Sequence, residues 1–217
     1  MIRNLAVLVG IVIIFIGLIL VGVSYRAIVT SYEYKGNILN PPVAVPDFQL
    51  QAVDGSLFRL SDLEGKIALI FLGYTNCPDV CPLTVAKVKQ ALNNLDEADR
   101  EKVQFIFISV DPERDTPEVL AKYLNHFDAG FIGLTDDPEK VQEVMKSFWA
   151  YAGKEENPEV AAPHSETGHG HEEASLDYLV NHTGRVYLVT PERELILMYP
   201  MEFKAEDLRN DLVYLLN

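Results

Sequence analysis

Residues 67–72 read Ile-Ala-Leu-Ile-Phe-Leu, six apolar side chains in succession with no polar position left to face water. The run is too short for an ordinary helix. As a strand it points alternate side chains to opposite sides, so both sides must be covered, as in a parallel sheet flanked by helices. Residues 103–110, Val-Gln-Phe-Ile-Phe-Ile-Ser-Val, form a second run of the same kind. Between the two, Val85, Val88, Leu92 and Leu95 recur at helical spacing, which predicts a helix crossing from one strand to the next.

The remaining pattern extends this unit. Phe48 to Leu50 and Leu57-Phe58 flank Asp54-Gly55, a hairpin signal. Ser61-Asp-Leu-Glu64 resembles a capping box over one short turn. Thr116-Pro117 pairs an N-cap residue with proline at the first helical position, opening a helix to about Phe127. Asp137-Pro138 opens another, with Val141, Val144, Met145 and Phe148 on one face. Arg185–Thr190 and Glu194–Tyr199 make a hairpin, and Leu208, Leu212, Leu215 and Leu216 mark a closing helix. Strand, helix, strand and helix followed by a hairpin and a helix make an α/β sandwich of the thioredoxin type, spanning residues 46–217 with an N-terminal β-hairpin. Residues 27–45, ending in Pro41-Pro42 and Pro46, read as a tether. Residues 152–177 are mostly Gly, Pro, Glu and His, with few apolar groups to bury, and read as a surface insertion.

Ahead of the tether, Leu5 to Val23 is 19 residues without charge or proline. As a helix it would rise about 28 Å, close to the hydrocarbon thickness of a bilayer. Ser24-Tyr25-Arg26 fits a small-residue cleavage site poorly, and an all-apolar terminal run fits a core helix poorly, so residues 1–26 are expected to be an uncleaved signal anchor. Arg3 balances Arg26 and Lys35 across it, and the short N-terminus is expected to stay inside. No Arg-rich presequence precedes the run, so the expected location is a bacterial cell membrane, single-pass, with the folded domain on the extracytoplasmic side. With 18 Lys and Arg against 32 Asp and Glu, the chain carries a formal charge of −14, which argues against nucleic acid as a partner.

Chemistry concentrates at Cys77-Pro-Asp-Val-Cys81, directly after the first buried strand and at the start of a helix. Reactive groups in α/β sheets gather at strand carboxyl ends, and a helix N-terminus lowers a thiol's pKa. These are the only two cysteines, so no disulfide framework holds the fold. Thiolates four residues apart can converge on one soft ion or close into a reversible disulfide.

Three separated stretches, in order, resemble the Sco/SenC family: Phe71-Leu-Gly-Tyr-Thr-Asn-Cys-Pro-Asp-Val-Cys-Pro82, Ser109-Val-Asp-Pro-Glu-Arg-Asp-Thr-Pro117 and Asn181-His-Thr183. The resemblance runs from about Pro46 to the C-terminus and includes the membrane tether. It implies a thioredoxin-like fold, copper as Cu(I) or Cu(II) bound by Cys77, Cys81 and His182, and a metallochaperone role in assembling the binuclear copper centre of cytochrome c oxidase subunit II. Two thiolates and an imidazole are a donor set that suits copper better than magnesium or calcium. The alternative is a thiol–disulfide oxidoreductase that uses Cys77 and Cys81 on the partner's cysteines, with Cys77 as the attacking thiol. A four-residue spacing, and Asn-His-Thr where thioredoxins carry a substrate-holding proline, weigh against it. A thiol peroxidase would carry a proline shortly before its reactive cysteine, and residues 70–76 contain none.

The chain departs from the family where Asn181 replaces an acidic residue before the histidine, with less second-shell charge as the expected result. His164, His169 and His171 are further candidate donors for Cu(II) or Zn(II), with incidental histidines in a solvated acidic loop as the preferred reading. His126 reads as a helix-end residue, and Asp111, Arg114 and Asp115 as shaping the turn between strand and helix. Met198 and Met201 are soft side chains whose first reading is packing.

Overall fold

The computed structural model describes residues 12–20, 32–155 and 178–217. The chain divides into two units, Met1–Tyr34 and Lys35–Asn217. In the first, residues 12–20 are helical and present Val12, Ile13, Ile14 and Phe15 to the outside. The rest of the Leu5–Val23 run lies outside the described residues, and among those described no helix is long and apolar enough to cross a membrane.

The second unit runs β1 (Asn37–Ala44), the hairpin β2 (Gln49–Gln51) and β3 (Leu57–Arg59), β4 (Ile67–Gly73), α1 (Val80–Asn93), the single turn α2 (Glu97–Arg100), β5 (Val103–Ser109), α3 (Pro117–Asn125), β6 (Ile132–Leu134) and α4 (Pro138–Ser147). It continues with β7 (Ala152–Glu155) paired to β8 (Leu179–His182), the hairpin β9 (Val186–Val189) and β10 (Glu194–Tyr199), and α5 (Ala205–Leu216). Six strands form the main sheet in the order β1-β10-β9-β4-β5-β6. β4, β5 and β6 are parallel, with Ile67 opposite Val103 through to Gly73 opposite Ser109. β9, β10 and β1 complete the sheet antiparallel.

Every residue of β4 is buried, as its unbroken apolar run requires. One side of the sheet (Ala68, Ile70, Leu72, Ile106, Ile108, Tyr187, Val189) joins Leu50 and Phe58 of the β2–β3 hairpin and Val141, Val144 and Met145 of α4 in a single core. On the other side Phe71 and Phe107 meet edge to face, Tyr123 of α3 packs on Phe107, and α1 lies against α5. The crossover connections therefore supply helices to one face, and α4 with the hairpin covers the other. Each fully buried Leu, Ile or Phe contributes about 1.5–3 kcal/mol. Two local signals act where they were read: Gly55 takes φ 84° in its turn, and Thr116 caps α3 by accepting from the Val119 N–H. The capping box expected at Ser61–Glu64 lies two residues earlier, where the short turn Leu60–Asp62 begins and Asp62 accepts from the Arg59 N–H.

Three boundaries differ from expectation. Residues 37–44, read as tether, are the edge strand β1, because Ile38 and Val43 pair with Leu197 and Leu195. Its start is pinned by Asp211, which is fully buried and accepts from the Lys35 and Gly36 N–H groups and the Tyr199 hydroxyl. Residues 152–155, read as the start of an insertion, pair with β8, Ala152 opposite His182; residues 156–177 lie outside the described residues. α1 ends at Asn93, so Leu95 falls beyond it.

Gly73 closes β4 in a space that admits no side chain. A Cβ there would come within 3.0 Å of the Cys81 sulfur and of the Phe107 ring, and closer to Phe71. Gly73→Ala is expected to destabilise the fold by about 1–3 kcal/mol through overpacking, read as a lower midpoint with an unchanged slope in urea unfolding.

Candidate metal centre

The buried strand β4 delivers the chain to Tyr74, and Cys77 follows in the turn before α1. The Cys77 N–H donates to the Tyr74 carbonyl. Asp79 occupies the N-cap of α1 without a side-chain cap bond. The Cys77 sulfur takes that office, accepting from the Cys81 N–H at 3.4 Å, one of the free donors every helix start presents. Cys81, the second residue of the helix, points back under the loop and is fully buried, whereas Cys77 is 9% exposed.

His182 arrives from a distance of 101 residues along the chain, as the last residue of β8, with its Nε2 3.4 Å from the Cys81 sulfur. Its ring stands edge to face with Tyr74 and Phe71, centroids 5.5 and 6.2 Å away. One donor atom from each of Cys77, Cys81 and His182 lies within 4.8 Å of the other two. The cysteines are free thiols. Among the described residues this is the only group of three or more such side chains that close.

The two thiols are electrostatically unlike. Cys77 is held far below the ordinary thiol range, first by a hydrogen bond from Cys81, then by His182 and by the backbone N–H groups of Asp79 and Cys81, all against the effect of burial. Cys81 is pushed up, first by burial and then by the neighbouring Cys77. These shifts favour the thiolate form at Cys77 and the neutral thiol at Cys81.

Below the loop, Asp115 is fully buried and accepts from the Thr75 N–H and hydroxyl and from the Ser109 hydroxyl, tying the cysteine loop to the end of β5. Burial raises its carboxyl above the usual range.

The SCO1/SenC family profile matches residues 38–217. This chain belongs to the SCO1/SenC family. It is 34% identical over 172 residues to the mitochondrial protein SCO2 of Saccharomyces cerevisiae, covering 79% of this chain and 52% of that protein. The chain thus spans about half the length of that curated relative. Among solved structures it resembles apo Sco1 from Thermus thermophilus, with TM-score 0.70 and 36% identity, covering 86% of this chain and 99% of that one. Arabidopsis thaliana ScoI, solved with copper bound, superposes with TM-score 0.68 and 30% identity over 80% of this chain and 98% of that one. The α/β sandwich with its central sheet is the thioredoxin-like fold of the SCO1/SenC proteins.

Within this SCO1/SenC chain, the three donors expected from sequence come together, and the other candidates do not join them. His126 is exposed at the end of α3, its Nδ1 against the Lys122 carbonyl. Met198 is half-buried in β10 against the core. Met201 is 39% exposed, its sulfur against Gly184. His164, His169 and His171 lie outside the described residues. Asn181 is exposed while its neighbour His182 turns inward, as strand alternation demands. The Nδ1 of His182 is buried without a hydrogen-bond partner among the described residues. Sequence reasoning missed Tyr74 as the residue that shapes the imidazole's seat, since one aromatic between a strand and a cysteine carries no signal of its own.

A depressed thiol pKa keeps the thiolate present at every pH above it. Alkylation of Cys77 in the reduced, metal-free protein is therefore expected to stay nearly constant from about pH 8 to pH 5.5, where an ordinary thiol slows about tenfold per unit. Cys81 should remain unlabelled, and Cys81→Ala, which removes the leading hydrogen bond, should restore a steep profile at Cys77. Peptide mass spectrometry after timed iodoacetamide quenching reads all three.

Proposed function

We propose that this protein is a membrane-anchored copper metallochaperone that holds Cu(I) or Cu(II) with Cys77, Cys81 and His182 and delivers it to the binuclear copper centre of cytochrome c oxidase subunit II. The observation that carries this reading is the convergence of two sulfurs and one imidazole nitrogen within 4.8 Å. Thiolate and imidazole donors select a soft or borderline ion, and three of them leave a coordination position open. Family membership and the copper-bound Arabidopsis relative support the choice of copper.

The geometry also suggests an order of events. Cys77 is already ionised and lies at the rim, so it makes first contact with incoming metal. Cys81 must give up its proton to become the second thiolate, so uptake releases about one proton per ion. On delivery, partner thiolates replace the ligands singly from the rim, with Cys81 the last to let go. The apolar Leu5–Val23 run would tether the domain to the extracytoplasmic face of a bacterial membrane, close to a membrane-bound oxidase.

A second reading has one specific observation behind it. A low-pKa thiol at the rim beside a buried neutral one is the pattern of an attacking and a resolving cysteine, which suits reduction of the partner's disulfide before metallation.

Anaerobic titration of the reduced full chain with Cu(I) tests the first reading. One tight equivalent is expected, with about one proton released. Cys77→Ser or Cys81→Ser should abolish tight binding, and His182→Ala should weaken it with the thermal midpoint unchanged. Wild-type affinity in all three variants would refute the site. Absence of tight copper, together with a Cys77–Cys81 disulfide readily exchanged with a cysteine peptide, would favour the reductase.

A further inference from the structure

His182 rides on a ribbon with little support of its own. β7 and β8 pair only with each other, outside the main sheet, and an isolated two-stranded ribbon is marginal in water. Beyond the packing of Val180 and Ala152, what fastens the ribbon is a side chain from the turn between β5 and α3.

Arg114 is nearly buried there, 6% exposed, and its Nε forms an ion pair with Asp111, itself 2% exposed. Its Nη1 donates to the Tyr178 carbonyl at 2.7 Å, at the entrance to β8. Its guanidinium lies 3.7 Å above the Tyr178 ring and 5.6 Å from that of Tyr74. The Tyr178 hydroxyl donates to the second oxygen of Asp111 at 2.5 Å, so one carboxylate receives both the arginine and the tyrosine stacked on it. Two residues on, the Val180 N–H donates to the Tyr74 hydroxyl at 3.3 Å, and Tyr74 forms one wall of the imidazole's seat. A continuous path therefore leads from Arg114 through Tyr178, Val180 and Tyr74 to His182. By contrast, the Lys154–Glu113 pair that also reaches this ribbon is half exposed on both sides and adds little.

We propose that Arg114 is a positioning residue for the metal centre: by clamping Tyr178 against Asp111 it holds the β7–β8 ribbon in place and so keeps His182 over the two cysteines. The planar fork is essential to this, because it must pair with a carboxylate, donate to a carbonyl and stack on a ring at once, which an ammonium cannot do. Arg114→Lys keeps the charge beside Asp111 and loses the rest. The inference rests on His182 being a copper ligand, and one of its tests does not use copper.

In the metal-free full chain, Arg114→Lys should speed amide hydrogen exchange at Val180 by at least about tenfold while β4 amides keep their protection, a local opening rather than global unfolding. In Cu(I) competition against a chromophoric chelator, the same variant should bind about 10- to 100-fold more weakly than wild type, the usual effect of losing a group that orients a ligand. In the His182→Ala background Arg114→Lys should cost nothing further, since its effect runs through that histidine. Tyr178→Leu, altered from the ribbon side, should reproduce the pattern and serves if the arginine variant fails to fold. Unchanged Val180 exchange, wild-type affinity in Arg114→Lys, or a full additive loss on top of His182→Ala would each overturn the clamp. If Val180 exchange rises but His182→Ala binds copper like wild type, the ligand assignment fails and the clamp loses its function with it, even though the contact exists.

Discussion

The two cysteines of the candidate metal centre depend on the complete burial of β4. A strand covered on both faces cannot shift its register or tilt without exposing apolar side chains on one face or the other, so its carboxyl end is a fixed point. That end is Gly73, whose missing side chain leaves room for the Cys81 sulfur to lie against the strand. The cysteine loop and the first turn of α1 hang from this point, and Asp115 fastens the loop to the neighbouring strand through Thr75 and Ser109. The two sulfurs are thus set by the most rigid part of the molecule.

The third donor is placed by different means. Strand β8 belongs to a small ribbon outside the main sheet, anchored by polar and aromatic contacts as well as by the buried Val180 and by Ala152 against the core. A centre with two donors on rigid core and one on a lightly held ribbon can keep a metal while one ligand moves. That division would suit the copper delivery proposed above, and it follows from topology before any property of copper is considered. The unlike thiols add to it: the sulfur held toward the thiolate form lies at the rim, and the one held toward the neutral form lies deep.

Much of the fold was legible because its signals are local. Unbroken apolar runs specify β4 and β5, helical spacing specifies α1, α4 and α5, and Thr116-Pro117 specifies where α3 begins. Residues 37–44 escaped because Asn-Pro-Pro among scattered apolar residues resembles a linker; they become a strand only because β10 offers a free edge and Asp211 grips the chain ahead of them. Residues 152–155 escaped for a similar reason, since four residues without a large apolar side chain pair only because β8 is brought beside them. Arg114 and Asp111 were read as shaping a turn, which they do. That the same pair reaches across to Tyr178, 64 positions further along the chain, depends on the chain folding back, and no pattern near the turn announces it.

By itself the sequence determined the donor types, the CxxxC spacing, the strand that carries it and the family to which the chain belongs, because each is written in consecutive residues or in recurring motifs. Only the tertiary structure decided that His182 faces the sulfurs while Asn181 faces outward, that burial and hydrogen bonding push the two thiols in opposite directions, and that an arginine from another turn contacts the chain at the entrance to the histidine's strand. Those outcomes depend on distances and burial between segments far apart in the chain, where hydrogen bonds and ion pairs gain their strength from the exclusion of water.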